Sequence, residues 1–104
     1  VYGDQRGAER LWPMDPIPLV IPEDEWDLLS AAVAQRAALL NDILDDCYGP
    51  QRLLKEGRLP PELVLANPSF LRPCHGIPVP GGVRLHFYAV DLARSPDGRW
   101  WVVA

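Results

Sequence analysis

The sequence lacks the features that define several large classes of protein. Its two cysteines, Cys47 and Cys74, are too few for a disulfide framework. No uninterrupted apolar run approaches the roughly 18 residues that a membrane-spanning helix needs. The first residues also show no charged-then-apolar signal pattern. We therefore expect a cytoplasmic protein that has reduced thiols and no membrane partner.

Clusters of lysine and arginine are absent as well. The formal net charge is −4, whereas nucleic acids and acidic membranes bind to dense cationic faces. The charge pattern therefore predicts no nucleic-acid partner. Negative charge is concentrated in residues 23–46, which hold seven acidic residues and one basic residue, Arg36. We interpret this acidic stretch as the solvated outer face of a helix.

Proline is abundant everywhere except in residues 23–49. The chain holds 12 prolines, and a proline inside a helix removes a hydrogen-bond donor and clashes with the preceding turn. Only residues 23–49 can therefore form a long helix. Apolar residues recur there at helical spacing, Pro22 suits the start of the helix, and Gly49 suits its end. The pattern predicts a long amphipathic helix whose apolar stripe packs against the core.

The other segments complete a single domain of the α+β class. Residues 1–22 predict an extended arm, residues 50–80 predict short helices and loops, and residues 81–104 predict a β-hairpin. The first strand of the hairpin is predicted from Val83 to Arg94, with both faces covered, because both sides are substantially apolar. The expected architecture is one long amphipathic helix with short helices packed on a small antiparallel sheet that ends in the hairpin.

The turn Ser95-Pro96-Asp97-Gly98 predicts the register of this hairpin. Its serine, proline and glycine positions are typical of a type I turn with a glycine bulge. This turn pairs Ser95 with Arg99, and Asp91 then lies opposite Val103. The second strand would stop while its partner continues back to Val83, which is unusual for a finished fold. The edge from Trp100 to Ala104 would be exposed, and a homodimer could form there.

Three residues raise a competing hypothesis of a small metal or thiol enzyme: Cys74, His75 and His86. Metal ligands need a spacing that lets their side chains converge, as in CxxC or HxxxH. A nucleophile and its base must also lie within hydrogen-bond reach of each other. Adjacent Cys74 and His75 with a remote His86 do not meet these requirements. We assign them structural roles, assign no catalytic residue, and expect this chain alone to bind no cofactor.

Five stretches of the chain, in order, carry a family resemblance. They are VYGDQRGAERLWPMDPIP, IPEDEW, QRAALLNDILDDCYGPQRLLKEGRLPPELV, FLRPCHG and DLARSPDGRWWVV. Together they resemble the beginning of the circularly permuted ATP-grasp proteins of type 2, a bacterial family. Because the stretches cover nearly the whole chain, the resemblance is to this family and not only to a general fold.

The resemblance implies a function as well as a fold. It implies the N-terminal portion of an ATP-dependent carboxylate–amine ligase, similar to glutathionylspermidine synthetase, that forms an amide through an acyl phosphate. ATP and magnesium would bind in the parent protein, whose remaining part would be the partner of this chain. Asp91 resembles the family's magnesium ligand before the hairpin, while Ala104 stands where an acidic residue is expected. The alternative is a noncatalytic protein-interaction or scaffold module.

Overall fold

The computed structural model describes residues 14–103 and has the predicted α+β architecture. Residues 1–13 of the predicted arm and Ala104 lie outside the described residues, and residues 14–22 contain no helix or strand. The helices are α1 (Glu23–Tyr48), α2 (Arg52–Lys55) and α3 (Pro61–Leu65), and the strands are β1 (Leu92–Arg94) and β2 (Trp100–Val102). Short 3₁₀ turns cover Arg72–Cys74 and Pro80–Gly82.

The long helix α1 confirms the prediction made from proline distribution and apolar spacing. Its first turn is acidic, which favours the positive end of the helix dipole. The carbonyl oxygen of Pro22 accepts the first intrahelical bond, from the Trp26 N–H at 2.9 Å. The helix ends at Gly49, where a Cβ atom would lie 2.7 Å from the carbonyl oxygen of Asp45. Only glycine therefore fits at this end without displacing the last turn.

Both short helices form where the proline and glycine positions predict them. The chain reverses after α1 through Gln51, which has a left-handed φ of 57°. The side-chain amide of Gln51 donates to the carbonyl oxygen of Cys47 at 3.1 Å. Helix α3 begins at Pro61, where the missing N–H is no loss. Helices this short depend on tertiary contacts, and α2 packs against α1.

The hairpin has the predicted register. Leu92 pairs with Val102, and Arg94 pairs with Trp100. The turn closes with a hydrogen bond from the Gly98 N–H to the Ser95 carbonyl oxygen at 2.8 Å. Gly98 has a φ of 83°, which glycine adopts without a steric penalty. Serine, proline and glycine at these positions therefore specify the strand pairing locally.

The prediction that β1 begins at Val83 is wrong, because the strand begins at Leu92. Residues 83–91 form no strand, and the backbone N–H groups of Arg84 and Leu85 donate to the side chain of Asn41. Phe87 is 94% exposed, so this segment is not covered on both faces. The alternation of apolar residues indicated which side chains could face a sheet. It did not predict a neighbouring strand, and a strand needs such a neighbour for its ladder of hydrogen bonds.

Burial is sparse in the part of the chain that the structure describes. Only Leu29 and Cys47 are buried there, and many large apolar side chains are exposed. On α1, Trp26 and Leu28 are mostly exposed, so the apolar stripe packs along only part of its length. None of the helices within residues 14–103 combines the length and the apolar character needed to cross a bilayer.

Candidate functional site

Asp91, the magnesium ligand implied by the resemblance, lies immediately before β1. Its carbonyl oxygen accepts a hydrogen bond from the Val103 N–H at 2.9 Å. Because side chains alternate along a strand, Asp91 shares a face with Ala93 and Trp101. The residue is exposed, and the residue directly opposite it is apolar Val103. The backbone of Asp91 is therefore fixed by the hairpin, while its carboxylate faces open surroundings.

Asp91 belongs to no cluster of three or more potential metal ligands in the described residues. Across residues 14–103, no three histidine, cysteine, aspartate or glutamate side chains come together as a metal site. Ala104, the position at which the resemblance leads us to expect an acid, lies outside the described residues. Asp91 is therefore an exposed carboxylate beside the hairpin and lies outside any such cluster in the described residues.

The turn beside this face is stabilised by the carboxylate of Asp97. It accepts hydrogen bonds from the Ser95 hydroxyl and from the Arg99 N–H, the latter at 3.1 Å. The bond from Ser95 and then that from Arg99 lower the pKa of Asp97. The indole N–H of Trp101 donates to the Ser95 hydroxyl oxygen at 3.2 Å. These bonds tie the turn to the exposed face of β2.

The opposite face of the hairpin is attached to α1 through Glu25. The indole N–H of Trp100 donates to Glu25 Oε1 at 2.7 Å, although the two residues are 75 positions apart. Arg94 Nη2 lies 3.4 Å from the same oxygen. The interpretation of the acidic stretch as a solvated face is therefore wrong for Glu25, which joins the two ends of the described chain.

An open groove of about 800 Å³ separates this hairpin face from the first turns of α1. Its walls are mainly apolar, with Leu29 and Val33 on the helix and Leu92 and Val102 on the hairpin. Arg36 lies at the same groove and donates to the carbonyl oxygen of Ala32 at 3.2 Å. The groove therefore combines an apolar floor with a cationic side chain.

The carboxyl-terminal half of α1 is held by a different set of contacts. Asn41 Oδ1 accepts hydrogen bonds from the N–H groups of Arg84 at 2.8 Å and Leu85 at 3.1 Å. The Asn41 amide also donates to the carbonyl oxygen of Gly82 at 3.0 Å. One side chain thus satisfies three backbone groups of a segment that has no strand partner.

Arg84 strengthens the same attachment. Its Nε atom lies 2.7 Å from Asp45 Oδ1, and its Nη2 atom donates to the carbonyl oxygen of Ile77 at 3.2 Å. The guanidinium carbon lies 5.5 Å from the centre of the Tyr48 ring, within the range of a cation–π contact. Only 11% of the Arg84 side chain is exposed. We name the set Asn41, Asp45, Tyr48 and Arg84 the clasp.

Tyr48 extends the clasp toward the following loop. Its hydroxyl oxygen accepts a hydrogen bond from the Leu71 N–H at 3.1 Å. Its ring stacks on Phe70 with the centroids 4.8 Å apart and the planes 20° from parallel. The carbonyl oxygen of Tyr48 accepts the Gly76 N–H at 2.7 Å. The end of α1 is therefore the point at which residues 70–85 return to the helix.

Asp46 caps α2 from the preceding helix. Its carboxylate oxygens accept the N–H groups of Arg52 and Leu53, each at 2.9 Å. The bond from Leu53 is the largest cause of a lowered pKa for Asp46, and burial opposes this effect. Like Glu25, Asp46 is an acidic residue of α1 that has a structural partner, so the solvated-face interpretation is wrong for it too.

The cysteine and histidine residues of the competing hypothesis lie in separate settings. His75 Nε2 lies 3.0 Å from the carbonyl oxygen of Gly49, and Cys74 is half-buried. His86 is exposed. Cys47 is buried against the helix end, and burial followed by the nearby Asp46 charge raises the pKa of its thiol. In the described part of the chain these residues form no joint metal site.

Sequence reasoning missed the attachment residues Glu25, Asn41, Asp46 and Arg84. They share one signal: each is a polar residue in or beside an apolar pattern. That signal shows that a partner is needed, but it does not identify the distant backbone groups that supply one. The contacts became visible only when the loops were placed on α1.

The comparisons with known proteins give the same family as the resemblance. The family described as "Circularly permuted ATP-grasp type 2" matches residues 18–104. The chain therefore belongs to the circularly permuted ATP-grasp type 2 family. No solved structure matches the chain.

Curated relatives share substantial identity but are much longer. Uncharacterized protein sll0335 of Synechocystis sp. is 44% identical over 99% of this chain and 21% of its own length. Uncharacterized protein Rv2567 of Mycobacterium tuberculosis is 47% identical over 89% of this chain and 10% of its own. Uncharacterized protein ML0605 of Mycobacterium leprae is 39% identical over 93% of this chain and 17% of its own. The chain thus spans at most about a fifth of these relatives.

Proposed function

We propose that this chain works as the N-terminal portion of an ATP-dependent carboxylate–amine ligase and is catalytically incomplete by itself. The observation that carries the proposal is the family match over residues 18–104. ATP-grasp proteins are ligases in which ATP activates a carboxylate and an amine then displaces the phosphate. Relatives several times longer than the matched region support the view that other segments would complete the site.

The finer proposal is a similarity to glutathionylspermidine synthetase and a cytoplasmic location. The product would then be an amide between a peptide carboxylate and a polyamine. In this proposal the chain's own contribution is the scaffold helix and the hairpin. We assign no catalytic residue within it.

Asp91 is the residue that we propose as a magnesium ligand. Magnesium in nucleotide sites is held by one or two carboxylates together with phosphate oxygens and waters. One exposed carboxylate at a fixed hairpin position fits part of such a set, and the apolar residue opposite it contributes nothing. The magnesium ion would stabilise charge on the phosphates of ATP, and its other ligands would come from outside residues 14–103.

A direct test compares the chain alone with the full natural gene product that carries it. We expect the full protein to release ADP with magnesium, ATP and a carboxylate–amine pair, in a panel that begins with glutathione and spermidine. The chain alone should show no change in melting temperature with Mg-ATP. A rise of several degrees would show that its nucleotide site is already complete and would contradict the proposal.

A variant pair tests the proposed ligand. In the full protein, Asp91→Asn should raise the magnesium concentration needed for half-maximal ADP release by at least roughly tenfold. Asp27→Asn changes an exposed carboxylate on α1 and should leave this concentration unchanged. If both variants matched the unaltered protein, Asp91 would not be a ligand, although the ligase proposal would stand on ADP release.

The alternative function is a noncatalytic interaction or scaffold module. The exposed apolar groove beside Arg36 favours it, because large apolar patches rimmed by polar residues mark interaction sites. Magnesium-dependent ADP release by the full protein would contradict it. Complete inactivity with every carboxylate–amine pair, together with tight binding of one protein partner, would support it.

A further inference from the structure

One carboxylate oxygen of Glu25 contacts both strands of the hairpin. Glu25 Oε1 accepts the indole N–H of Trp100 at 2.7 Å and lies 3.4 Å from Nη2 of Arg94. Trp100 on β2 and Arg94 on β1 are paired with each other in the hairpin register. Only 21% of the Glu25 side chain is exposed, and hydrogen bonds shielded from water are stronger than those at an open surface. Glu25 therefore holds β1 and β2 together against α1.

The attachment that precedes the hairpin is separated from it by a stretch without regular structure. The N–H groups of Arg84 and Leu85 donate to Asn41. The next six residues, 86–91, form neither helix nor strand, and Phe87 among them is 94% exposed. Such a stretch transmits little orientation from one end to the other, because its backbone dihedrals are not fixed by a ladder. The orientation of the hairpin on α1 therefore depends on contacts made by β1 and β2.

Asp91 is carried by the same hairpin. Its carbonyl oxygen accepts the Val103 N–H at 2.9 Å, so its backbone moves with the two strands. Arg94 lies three positions further along, about 10 Å in an extended chain, and its side chain is on the opposite face. A rotation of the hairpin on α1 would therefore displace the Asp91 carboxylate without changing any bond of Asp91 itself.

We propose that Glu25 is a positioning residue for the magnesium site, because its contacts with Trp100 and Arg94 determine where the hairpin presents the Asp91 carboxylate. The inference rests on the magnesium role proposed for Asp91. Glu25 acts through the hairpin and is not itself a ligand. Changing a residue that orients a metal ligand typically lowers metal affinity by about 10- to 100-fold.

Binding of Mg-ATP to the full natural gene product tests the proposal without turnover. Isothermal titration calorimetry is done with no carboxylate or amine added, once with Mg-ATP and once with ATP and a chelator. We expect Glu25→Ala to raise the dissociation constant of Mg-ATP about tenfold and to leave that of metal-free ATP unchanged. Glu23→Ala alters another acid of the same helical turn and should change neither constant.

Two results of this titration would overturn the proposal. One is an unchanged dissociation constant of Mg-ATP in Glu25→Ala. The other is an equal loss of affinity for Mg-ATP and metal-free ATP, which would indicate general damage to the fold and no specific effect on the metal.

The bond between Glu25 and Trp100 allows a sharper test with milder variants. Trp100→Phe keeps an aromatic ring but removes the indole donor, so it should also weaken Mg-ATP binding and spare metal-free ATP. Combining it with Glu25→Ala should weaken binding no further than Glu25→Ala alone, because both changes break the same bond. Glu25→Gln keeps an acceptor oxygen and should retain most of the affinity. Additive losses in the double variant, or no retention in Glu25→Gln, would contradict the positioning role.

Asp91→Asn separates this inference from the proposed function. If Asp91→Asn weakens Mg-ATP binding and Glu25→Ala does not, Asp91 is a ligand and the positioning role of Glu25 is wrong. If neither variant changes Mg-ATP binding, the magnesium role of Asp91 fails, and the positioning role fails with it. Weaker Mg-ATP binding in both variants, with metal-free ATP unaffected, is the result that we expect.

Discussion

The two halves of α1 differ in how they hold the rest of the chain. At the carboxyl-terminal half, the clasp and Asp46 satisfy backbone groups of three separate segments, and Cys47 is buried. At the amino-terminal half, Glu25 is the side chain on α1 that bonds to the hairpin, and a wide groove remains between them. The carboxyl-terminal half of α1 is therefore held by polar contacts to three segments, whereas the amino-terminal half contacts the hairpin through Glu25 beside an open groove.

We infer that stability differs between the segments of the chain. Side chains that bond to part-buried backbone groups contribute more than exposed ion pairs, because leaving such groups unsatisfied is unfavourable. We expect residues 41–85 to unfold as one unit, and the hairpin to separate from α1 more readily. Four experiments test this difference between the two halves of α1.

The largest effect should come from Asn41→Ala. The variant loses two acceptor bonds and one donor bond to residues 82–85, so we expect a loss of about 2 kcal/mol in the free energy of unfolding. Urea unfolding followed by circular dichroism measures it. Asn41→Asp keeps the acceptor and should lose less, and an equally large loss in both variants would contradict the role of the acceptor.

A smaller effect is expected for Glu25→Ala. It removes the bond from Trp100 and the ion pair with Arg94, which should destabilise hairpin docking by about 1 kcal/mol. Tryptophan fluorescence measures the loss of hairpin docking. Amide hydrogen exchange should become faster in the hairpin and stay unchanged at the backbone N–H of Arg84. Glu23→Ala alters the same helix turn and should leave the hairpin in place. Equal changes in both variants would mean that helix stability, not docking, is affected.

The capping hydrogen bonds at the first residues of α2 should depend on pH. The pKa of Asp46 is lowered in the folded state, so its capping bonds stabilise the fold above its ordinary value of 3.8 and are lost as the pH falls through the folded pKa. The amide signals of Arg52 and Leu53 should report this loss during an acid titration. In Asp46→Asn the same titration should show no such step, and persistence of the step would assign it to another group.

The smallest effect concerns the two thiols. Because Cys47 is buried and its thiol pKa is raised, it should react with iodoacetamide more slowly than half-buried Cys74. Mass spectrometry of the labelled peptides measures both rates, and urea should make them similar. Faster labelling of Cys47 in the folded chain would show that the carboxyl-terminal half of α1 opens more easily than its contacts indicate.

Local rules predicted much of this fold. The bounds of α1 follow from Pro22, Gly49 and the gap in the prolines, and the hairpin register follows from four turn residues. In each case the interactions that determine the element join residues close in sequence. Spacing along the chain therefore predicts which residues lie close in space. The family also followed from the sequence, through stretches that keep their order.

Contacts between residues that lie far apart in the sequence could not be predicted from local spacing. Asn41 and Glu25 are visibly polar residues of the helical pattern, but their partners lie 41 or more positions away. The strand predicted from Val83 failed for the same reason, since a ladder depends on a neighbour and not on alternation alone. Whether Asp91 binds magnesium also depends on ligands that no spacing within this chain supplies, and it stays a prediction.

The bonds of Asn41 have a consequence for the order of folding. Closing a loop of 41 residues costs roughly 3 kcal/mol in chain entropy before any contact compensates for it. The helix and the turn at Ser95 close over far shorter distances and can form in microseconds. We therefore expect the Asn41 contacts to form late in folding. Helix α1 would form first, and residues 82–85 would bind to it afterwards.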